Sequence, residues 1–163
     1  MNYHNITKDD MLNGDGLRTV LWVSGCNHHC KNCQNPQTWN KDSGIPFDFD
    51  TIFEICNQLD KSYISGITFS GGDPLFPDNR EIVCAISALI KDCHPTKTQW
   101  IYTGYRWEEI KDLPIMEYID VVVDGQYEDG KRDITLKWRG SSNQRVINVQ
   151  ESLKQNKVVL WCD

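Results

Sequence analysis

Short apolar runs alternate with helical patterns along the chain and predict strands separated by helices. The runs cover residues 19–24, 67–70, 98–103, 119–124, 145–149 and 158–162. The first is nearly continuous in Val, Leu and Trp and the fourth in Val, which is typical of strands buried on both faces. We therefore expect a sheet of five or six strands.

Two longer segments repeat apolar residues at helical spacing. Residues 50–63 follow an Asp that caps a helix well, and residues 78–93 form the second segment. The expected apolar stripes are Phe53 (or Ile52), Cys56, Leu59 and Tyr63 in the first helix, and Ile82, Ile86, Leu89, Ile90 and Cys93 in the second. A third, shorter helix is expected after Arg106.

The alternation of strands and helices predicts an α/β fold whose sheet is mostly parallel, with right-handed crossovers. Five or six strand–helix units are too few to close an eight-stranded barrel. We therefore expect a partial, open β/α barrel. No internal repeat and no flexible linker interrupts the pattern, so we expect a single domain over residues 1–163.

Four unusual sequences each follow a predicted strand. They are a cysteine loop after the first strand, the turn Gly71-Gly72-Asp73-Pro74 after the second, Thr103-Gly104 after the third and Asp124-Gly125 after the fourth. Folds of this class build their ligand sites at the carboxyl ends of the strands. The four sequences therefore predict one shared site along that rim.

Composition narrows the class of protein. The chain has 163 residues, of which 39% are apolar and 25% charged, a balance typical of globular proteins. No apolar run is long enough to cross a bilayer, and the polar start lacks a secretory signal, so we expect a cytoplasmic protein. A net charge of −6 argues against nucleic acid or an anionic membrane as a partner.

Three of the seven cysteines, Cys26, Cys30 and Cys33, fall within eight residues. In a reducing cytoplasm such a group more often binds metal than forms disulfides. Thiolates suit iron–sulfur clusters or zinc. A four-iron cluster with only three protein thiolates leaves one iron open, and the amino and carboxylate groups of S-adenosylmethionine fit that vacancy.

Two alternatives to a cluster remain for this loop. One is a structural zinc site with His28 or His29 as fourth ligand, and the other is three thiols without metal. Zinc sites usually consist of two separated ligand pairs, so the spacing favours the cluster. The other four cysteines have no metal-like spacing and receive no role.

The remaining rim residues also allow two interpretations. Gly71, Gly72 and Asp73 form either a cradle for the cofactor's amino group or only a tight strand–helix connection. Thr103 and Asp124 either contact the cofactor or end their strands without a ligand. The polar segment 138–145 lines the site, meets a partner protein or is a solvated loop.

The cysteine spacing (three residues, then two) together with the Gly-Gly-Asp-Pro turn resembles the radical S-adenosylmethionine superfamily. That resemblance implies a [4Fe-4S] cluster on Cys26, Cys30 and Cys33, and backbone contacts to the cofactor from Asn32, Cys33 and Gln34. The chain departs from many members at Asn32, where they carry an aromatic residue that helps to seat the adenine.

Further segments resemble the glycyl-radical-enzyme activases, in particular those that act on anaerobic ribonucleoside-triphosphate reductase. They are residues 13–20 ahead of the cysteines, Asn35-x-x-Thr38-Trp39 after them and residues 138–145. The resemblance runs from about residue 13 to residue 149. It implies reductive cleavage of S-adenosylmethionine to methionine and a 5′-deoxyadenosyl radical, which takes a hydrogen atom from a glycine of the reductase.

Other functions also remain open from the sequence. The resemblance implies a flavodoxin-type electron donor. The first alternative is an activase of another glycyl radical enzyme, such as pyruvate formate-lyase. Activases of that kind are usually longer than this chain, and the short length therefore argues against this alternative. A zinc-stabilised binding module without catalysis is the second, and it leaves the glycine turn on the cysteine rim unexplained.

Overall fold

Seven strands form one sheet in the computed structural model, which describes residues 1–162. In chain order the elements are β1 (Asn2–Asp10), β2 (Leu17–Val23), β3 (Ile45–Pro46), α1 (Phe49–Leu59), β4 (Ile64–Gly71), α2 (Arg80–Cys93), β5 (Thr98–Tyr102), α3 (Trp107–Ile110), β6 (Val121–Asp124), β7 (Arg145–Asn148) and α4 (Val149–Gln155). Short 3₁₀ turns lie at Pro36–Thr38, Pro114–Glu117 and Asp129–Lys131.

The strand order across the sheet is β3-β1-β2-β4-β5-β6-β7. The four central strands, β2, β4, β5 and β6, are parallel, whereas β1, β3 and β7 pair antiparallel to their neighbours. The α/β class and the parallel centre are therefore confirmed. The sheet has more strands than expected and does not close, so the predicted partial barrel is not confirmed.

The sequence pattern does not predict two of the observed strands, and one predicted strand is absent from the structure. β1 is a polar strand without an apolar run, and β3 has only two residues. Residues 158–162 are not a strand: a single bridge joins Leu160 to Ile147 of β7. Two backbone hydrogen bonds, from Trp161 to Val146 and from Asn148 to Val159, hold this segment along β7.

The helices begin near the predicted positions, but the buried stripe of α1 differs. Asp48 caps α1 by accepting a hydrogen bond from the backbone N–H of Thr51. The helix buries Ile55 and Leu59. Successive residues are about 100° apart around a helix, so Phe53 lies about 200° from Ile55, on the opposite side. The expected stripe is therefore wrong at Phe53 and at Tyr63, which are both exposed.

The second and third predicted helices are largely confirmed. α2 buries Ile86 and Ile90 as expected, together with Val83 and Ser87, whereas Leu89 and Cys93 are exposed. α3 begins directly after Arg106. Within residues 1–162, no helix combines the length and the apolar character that a membrane crossing requires.

The helices cover one face of the sheet, where the main core lies. That core joins side chains of the strands, among them Leu21, Phe69 and Ile101, to Ile55 and Ile86 of the helices. The opposite face carries a smaller apolar cluster around Trp100, whose ring meets Trp138 edge to face at 5.0 Å. Both faces of the central strands are thus covered, as their continuous apolar sequence predicts.

Arg18 of β2 is fully buried on the face that carries Trp100. Its guanidinium lies 5.2 Å from the Trp100 ring and donates five hydrogen bonds. The acceptors are the backbone oxygens of Asp15, Ile67 and Thr98 and the hydroxyls of Thr68 and Thr98. Burial lowers the pKa of Arg18 to about 10, and these acceptors compensate for the water that the guanidinium loses.

Candidate functional site

The four strand-end sequences lie on one rim, as expected. The central strands are parallel neighbours, so their carboxyl ends meet at the same edge of the sheet. The cysteine loop follows β2, the glycine turn ends β4, Thr103 follows β5 and Asp124 ends β6. The sheet topology therefore brings together all four groups that the sequence singled out.

The cysteine loop is held at its start by backbone hydrogen bonds. Gly25 has a positive φ of 103° and donates to the backbone oxygen of Thr38 at 2.7 Å. Cys26 donates to the backbone oxygen of Trp39 at 3.1 Å, and the N–H of Asp73 donates to the oxygen of Gly25 at 2.8 Å. The first cysteine is thus fixed between residues 36–39 and the glycine turn.

The three thiols of the loop are unpaired, with Cys26 buried and the other two half-buried. The sulfur of Cys26 accepts the backbone N–H of His28 at 3.5 Å, and the sulfur of Cys33 accepts that of Asn35 at 3.3 Å. Burial raises the pKa of Cys26 to about 11 and raises that of Cys30 as well. Metal coordination is what would hold such buried sulfurs as thiolates.

The donor set of this loop fits an iron–sulfur cluster. It consists of soft thiolates from one short segment, with N–H groups directed at sulfur, as is typical of such clusters. Within residues 1–162, no three His, Cys, Asp or Glu side chains are grouped tightly enough to hold a single metal ion. A four-iron cluster takes one thiolate per iron, so its ligands surround the cluster and do not converge on one atom.

The histidines of the loop do not complete a zinc site in this structure. Both ring nitrogens of His28 have partners, with Nε2 2.8 Å from the Asp73 carboxylate and Nδ1 3.0 Å from the Gln126 amide. His29 is exposed, and its Nδ1 lies 3.1 Å from the backbone oxygen of Asn27. His28 would have to give up a hydrogen bond to become a fourth ligand.

The glycine turn packs backbone to backbone against the cysteine loop. Gly71 has a φ of 104°, and a Cβ on it would lie 2.6 Å from backbone atoms of Val23. A Cβ on Gly72 would lie 2.5 Å from the backbone oxygen of Gly25 and 2.9 Å from that of Thr38. Only glycine fits at either position, because rigid backbone atoms occupy the space of a side chain.

Asp73 and Thr103 bind each other at the centre of the rim. The buried Asp73 carboxylate accepts the Thr103 hydroxyl at 2.9 Å, the backbone N–H groups of Leu75 at 2.8 Å and Gly104 at 3.0 Å, and His28. These protein donors already satisfy the carboxylate. The contact of both side chains with a cofactor stays a prediction.

Asp124 holds two elements together at the end of β6. Its buried carboxylate accepts hydrogen bonds from Arg145, at 2.5 and 3.1 Å, and from the backbone N–H of Trp107 at 2.8 Å, where α3 begins. Arg145 also pairs with Glu108, and hydrogen bonds to both carboxylates raise the pKa of its guanidinium. A cofactor contact of Asp124 likewise stays a prediction.

Asn32 and Gln34 occupy the exposed side of the loop. Asn32 adopts a left-handed conformation with a φ of 57°, which Asn tolerates better than most residues. Its side chain donates to Asp129 at 2.9 Å, across 97 residues of sequence. Gln34 is exposed. The expected backbone contacts of Asn32, Cys33 and Gln34 with a cofactor stay predictions.

A cavity of about 1060 Å³ opens beside the cysteine loop, at the ends of β5 and β6. Its wall includes His28, Gly104, Tyr105, Asp124, Gln126 and Arg145. Segment 126–129 thus reaches the site through Gln126 and Asp129, a role that the sequence did not indicate. No local pattern marks these residues, because their contacts with the loop span 97 and 98 positions.

Comparison with known proteins gives one consistent result. A family model described as a 4Fe-4S single cluster domain matches residues 12–147. A protein of Enterobacteria phage T4 is 46% identical over 146 residues, which cover 90% of this chain and 93% of the relative. One of Escherichia coli K12 is 41% identical over 155 residues, which cover 92% and 100%. Both relatives are named anaerobic ribonucleoside-triphosphate reductase-activating protein.

The chain belongs to this family of activating proteins. A third member, from Pasteurella multocida, is 40% identical over 150 residues, which cover 88% of this chain and 95% of the relative. The match to the iron–sulfur domain includes the cysteine loop, the glycine turn, Thr103 and Asp124. The resemblance to activases of anaerobic ribonucleoside-triphosphate reductase, which residues 13–20, Asn35-x-x-Thr38-Trp39 and residues 138–145 indicated, is therefore confirmed.

Proposed function

We propose that this chain cleaves S-adenosylmethionine at a [4Fe-4S] cluster and activates anaerobic ribonucleoside-triphosphate reductase by forming a glycyl radical on it. One observation carries the proposal. The loop of Cys26, Cys30 and Cys33 packs backbone to backbone against the glycine turn at the ends of two parallel strands. This arrangement joins a three-thiolate set to backbone groups that a small ligand can approach closely.

The residues of the rim have distinct roles in this proposal. The three cysteines would hold three irons of the cluster, and the glycine turn would bind the amino group of S-adenosylmethionine. A cluster bound there would supply the electron that cleaves the sulfonium. The protein contributes binding and orientation, and it excludes water from the buried sulfur of Cys26.

The proposed reaction consumes one electron, which an external donor supplies. S-adenosylmethionine and that electron give methionine and a 5′-deoxyadenosyl radical. The radical takes a hydrogen atom from the α-carbon of a reductase glycine and leaves as 5′-deoxyadenosine. A flavodoxin-type protein is the proposed electron donor, because the family membership implies a reductive cleavage that needs one.

The proposal also covers the setting of the reaction. We propose that residues 1–163 act as one domain in the cytoplasm, with neither nucleic acid nor a membrane as partner. Asp163 lies outside the described residues. The cavity beside His28 and Gln126 is the proposed entry for the glycine-bearing segment of the reductase.

Anaerobic reconstitution with iron and sulfide tests the cluster and the cleavage. The reconstituted protein is reduced with dithionite in the presence of S-adenosylmethionine, and 5′-deoxyadenosine is assayed. We expect nucleoside release by the wild type, none by Cys30→Ala, and wild-type release by Cys84→Ala, whose thiol lies on α2 away from the loop. A colourless protein that retains zinc and releases no nucleoside would refute the proposal.

A second experiment tests the partner. The loaded protein is incubated anaerobically with the ribonucleotide reductase and, separately, with pyruvate formate-lyase. Electron paramagnetic resonance then detects a glycyl radical. We expect the signal only on the reductase, and a signal only on the lyase would transfer the proposal to that partner.

A further inference from the structure

His28 stands between the first two cysteines and has polar partners on both sides of its ring. Nε2 lies 2.8 Å from Oδ2 of Asp73. Because a carboxylate only accepts hydrogen bonds, Nε2 carries the proton, and Nδ1 accepts from the amide of Gln126 at 3.0 Å. The imidazole thus joins the cysteine loop to the turn after β4 and to the segment after β6.

The ring of His28 is also enclosed by packing. Tyr105 meets it edge to face at 4.7 Å, and the side chain is only 11% exposed. At Gly104 a Cβ would lie 2.4 Å from the imidazole, so the end of β5 leaves no room for any side chain there. This contact adds the end of a third strand to the surroundings of His28.

The anchor of His28 is itself held by several hydrogen bonds. Asp73 is buried, and its carboxylate accepts from two backbone N–H groups and the Thr103 hydroxyl besides the imidazole. A carboxylate fixed by several donors holds its partner in one orientation. The contacts that fix the His28 side chain therefore come from residues at the strand ends.

We propose that His28 is a positioning residue that pins the middle of the cysteine loop to the ends of β4, β5 and β6. Because its backbone N–H donates to the sulfur of Cys26, fixing the side chain also fixes that hydrogen bond. Hydrogen bonds to sulfur tune the reduction potential of iron–sulfur clusters. The consequence for the potential rests on the proposed function, whereas the consequence for the thiols does not.

The first test uses the full chain before it is loaded with iron. The rate at which a thiol reagent alkylates Cys26 and Cys30 is measured by mass spectrometry in wild type, His28→Ala and His29→Ala. Loss of one hydrogen bond to a charged group corresponds to about tenfold or more in the open population of the loop, so we expect His28→Ala to react that much faster. His29→Ala removes the exposed neighbouring imidazole and should react like the wild type.

Three further variants distinguish loss of the His28 contacts from general damage to the fold. Gly104→Ala leaves His28 unchanged but places a methyl group where the imidazole lies. It should therefore displace the ring and accelerate alkylation as His28→Ala does. Gly130→Ala is its control, because no atom lies within 4 Å of a Cβ there. His28→Gln retains a side-chain donor for Asp73 and should restore part of the protection.

The second test uses the loaded protein. We expect His28→Ala and Gly104→Ala to lose iron faster to a chelator and to shift the midpoint potential of the cluster, with His29→Ala unchanged. Wild-type alkylation rates in both His28→Ala and Gly104→Ala would overturn the inference, whatever the cleavage assay gives. If the wild type takes up no cluster, the proposed function fails and the alkylation rates still decide the role of His28.

Discussion

Replacement of Arg145 by Met tests the buried ion pair at the end of β6. The Asp124 side chain is 2% exposed, and without Arg145 its hydrogen bonds reduce to the N–H of Trp107. Removing one partner of a buried pair costs about 3–5 kcal/mol. Because the Arg145 side chain is 34% exposed, we expect a cost at the low end of this range. The exposed contact between Arg145 and Glu108 adds less than about 1 kcal/mol.

The expected loss of stability is therefore about 3 kcal/mol, which corresponds to a fall in melting temperature of about 10 °C for a chain of this length. Urea unfolding of the full chain measures this loss of stability. The slope of the free energy of unfolding against urea concentration should not change. In an Asp124→Asn background the same replacement should cost about 1 kcal/mol or less, because no buried charge is left unpaired. Equal costs in the two backgrounds would refute the reasoning.

Three further changes test the remaining contacts. Gly72→Ala forces a Cβ against the backbone oxygen of Gly25 and should lower the iron bound after reconstitution, with Gly130→Ala as control; equal iron contents would contradict the close packing. Asn79→Ala removes the donor to two buried carbonyls, of residues 24 and 73, and should cost about 2–4 kcal/mol in urea unfolding. Arg18→Met leaves several buried acceptors without a donor and should cost at least about 3 kcal/mol by the same assay, whereas a neutral effect would mean that its hydrogen bonds only offset its burial.

The rim of the sheet could be predicted from sequence because each of its signals is local. A strand buried on both faces is a continuous apolar run, and the Cys and Gly residues that follow it are adjacent in the chain. Local pattern also identified α2 and the short helix after Arg106. The predicted stripe of α1 is wrong at Phe53, because helical spacing of apolar residues does not show which face of the helix meets the sheet.

The contacts that shape the site could not be predicted in the same way. His28 meets residue 73, and Arg145 meets residue 124, through pairings that arise only when the strands are assembled. The sequence allows polar side chains at strand ends to contact a ligand or only to end the strand. It does not show the partners that Asp73 and Asp124 have within the protein. β1 lacked a signal altogether, since antiparallel pairing with β2 requires no apolar run.

The two borders of the sheet have a consequence for self-association. On one side the last strand is β3, which has two residues and contains Pro46, a residue without a backbone N–H. On the other side, residues 159–161 occupy backbone groups of β7. Bare strand edges recruit other chains by backbone pairing and lead to aggregation. Residues 159–161 cover the β7 edge, whereas β3 pairs only with Asn2 and Tyr3 and leaves the rest of β1 with an unpaired edge. Charged side chains along that stretch, among them Lys8, Asp9 and Asp10, disfavour its pairing with a strand of another chain.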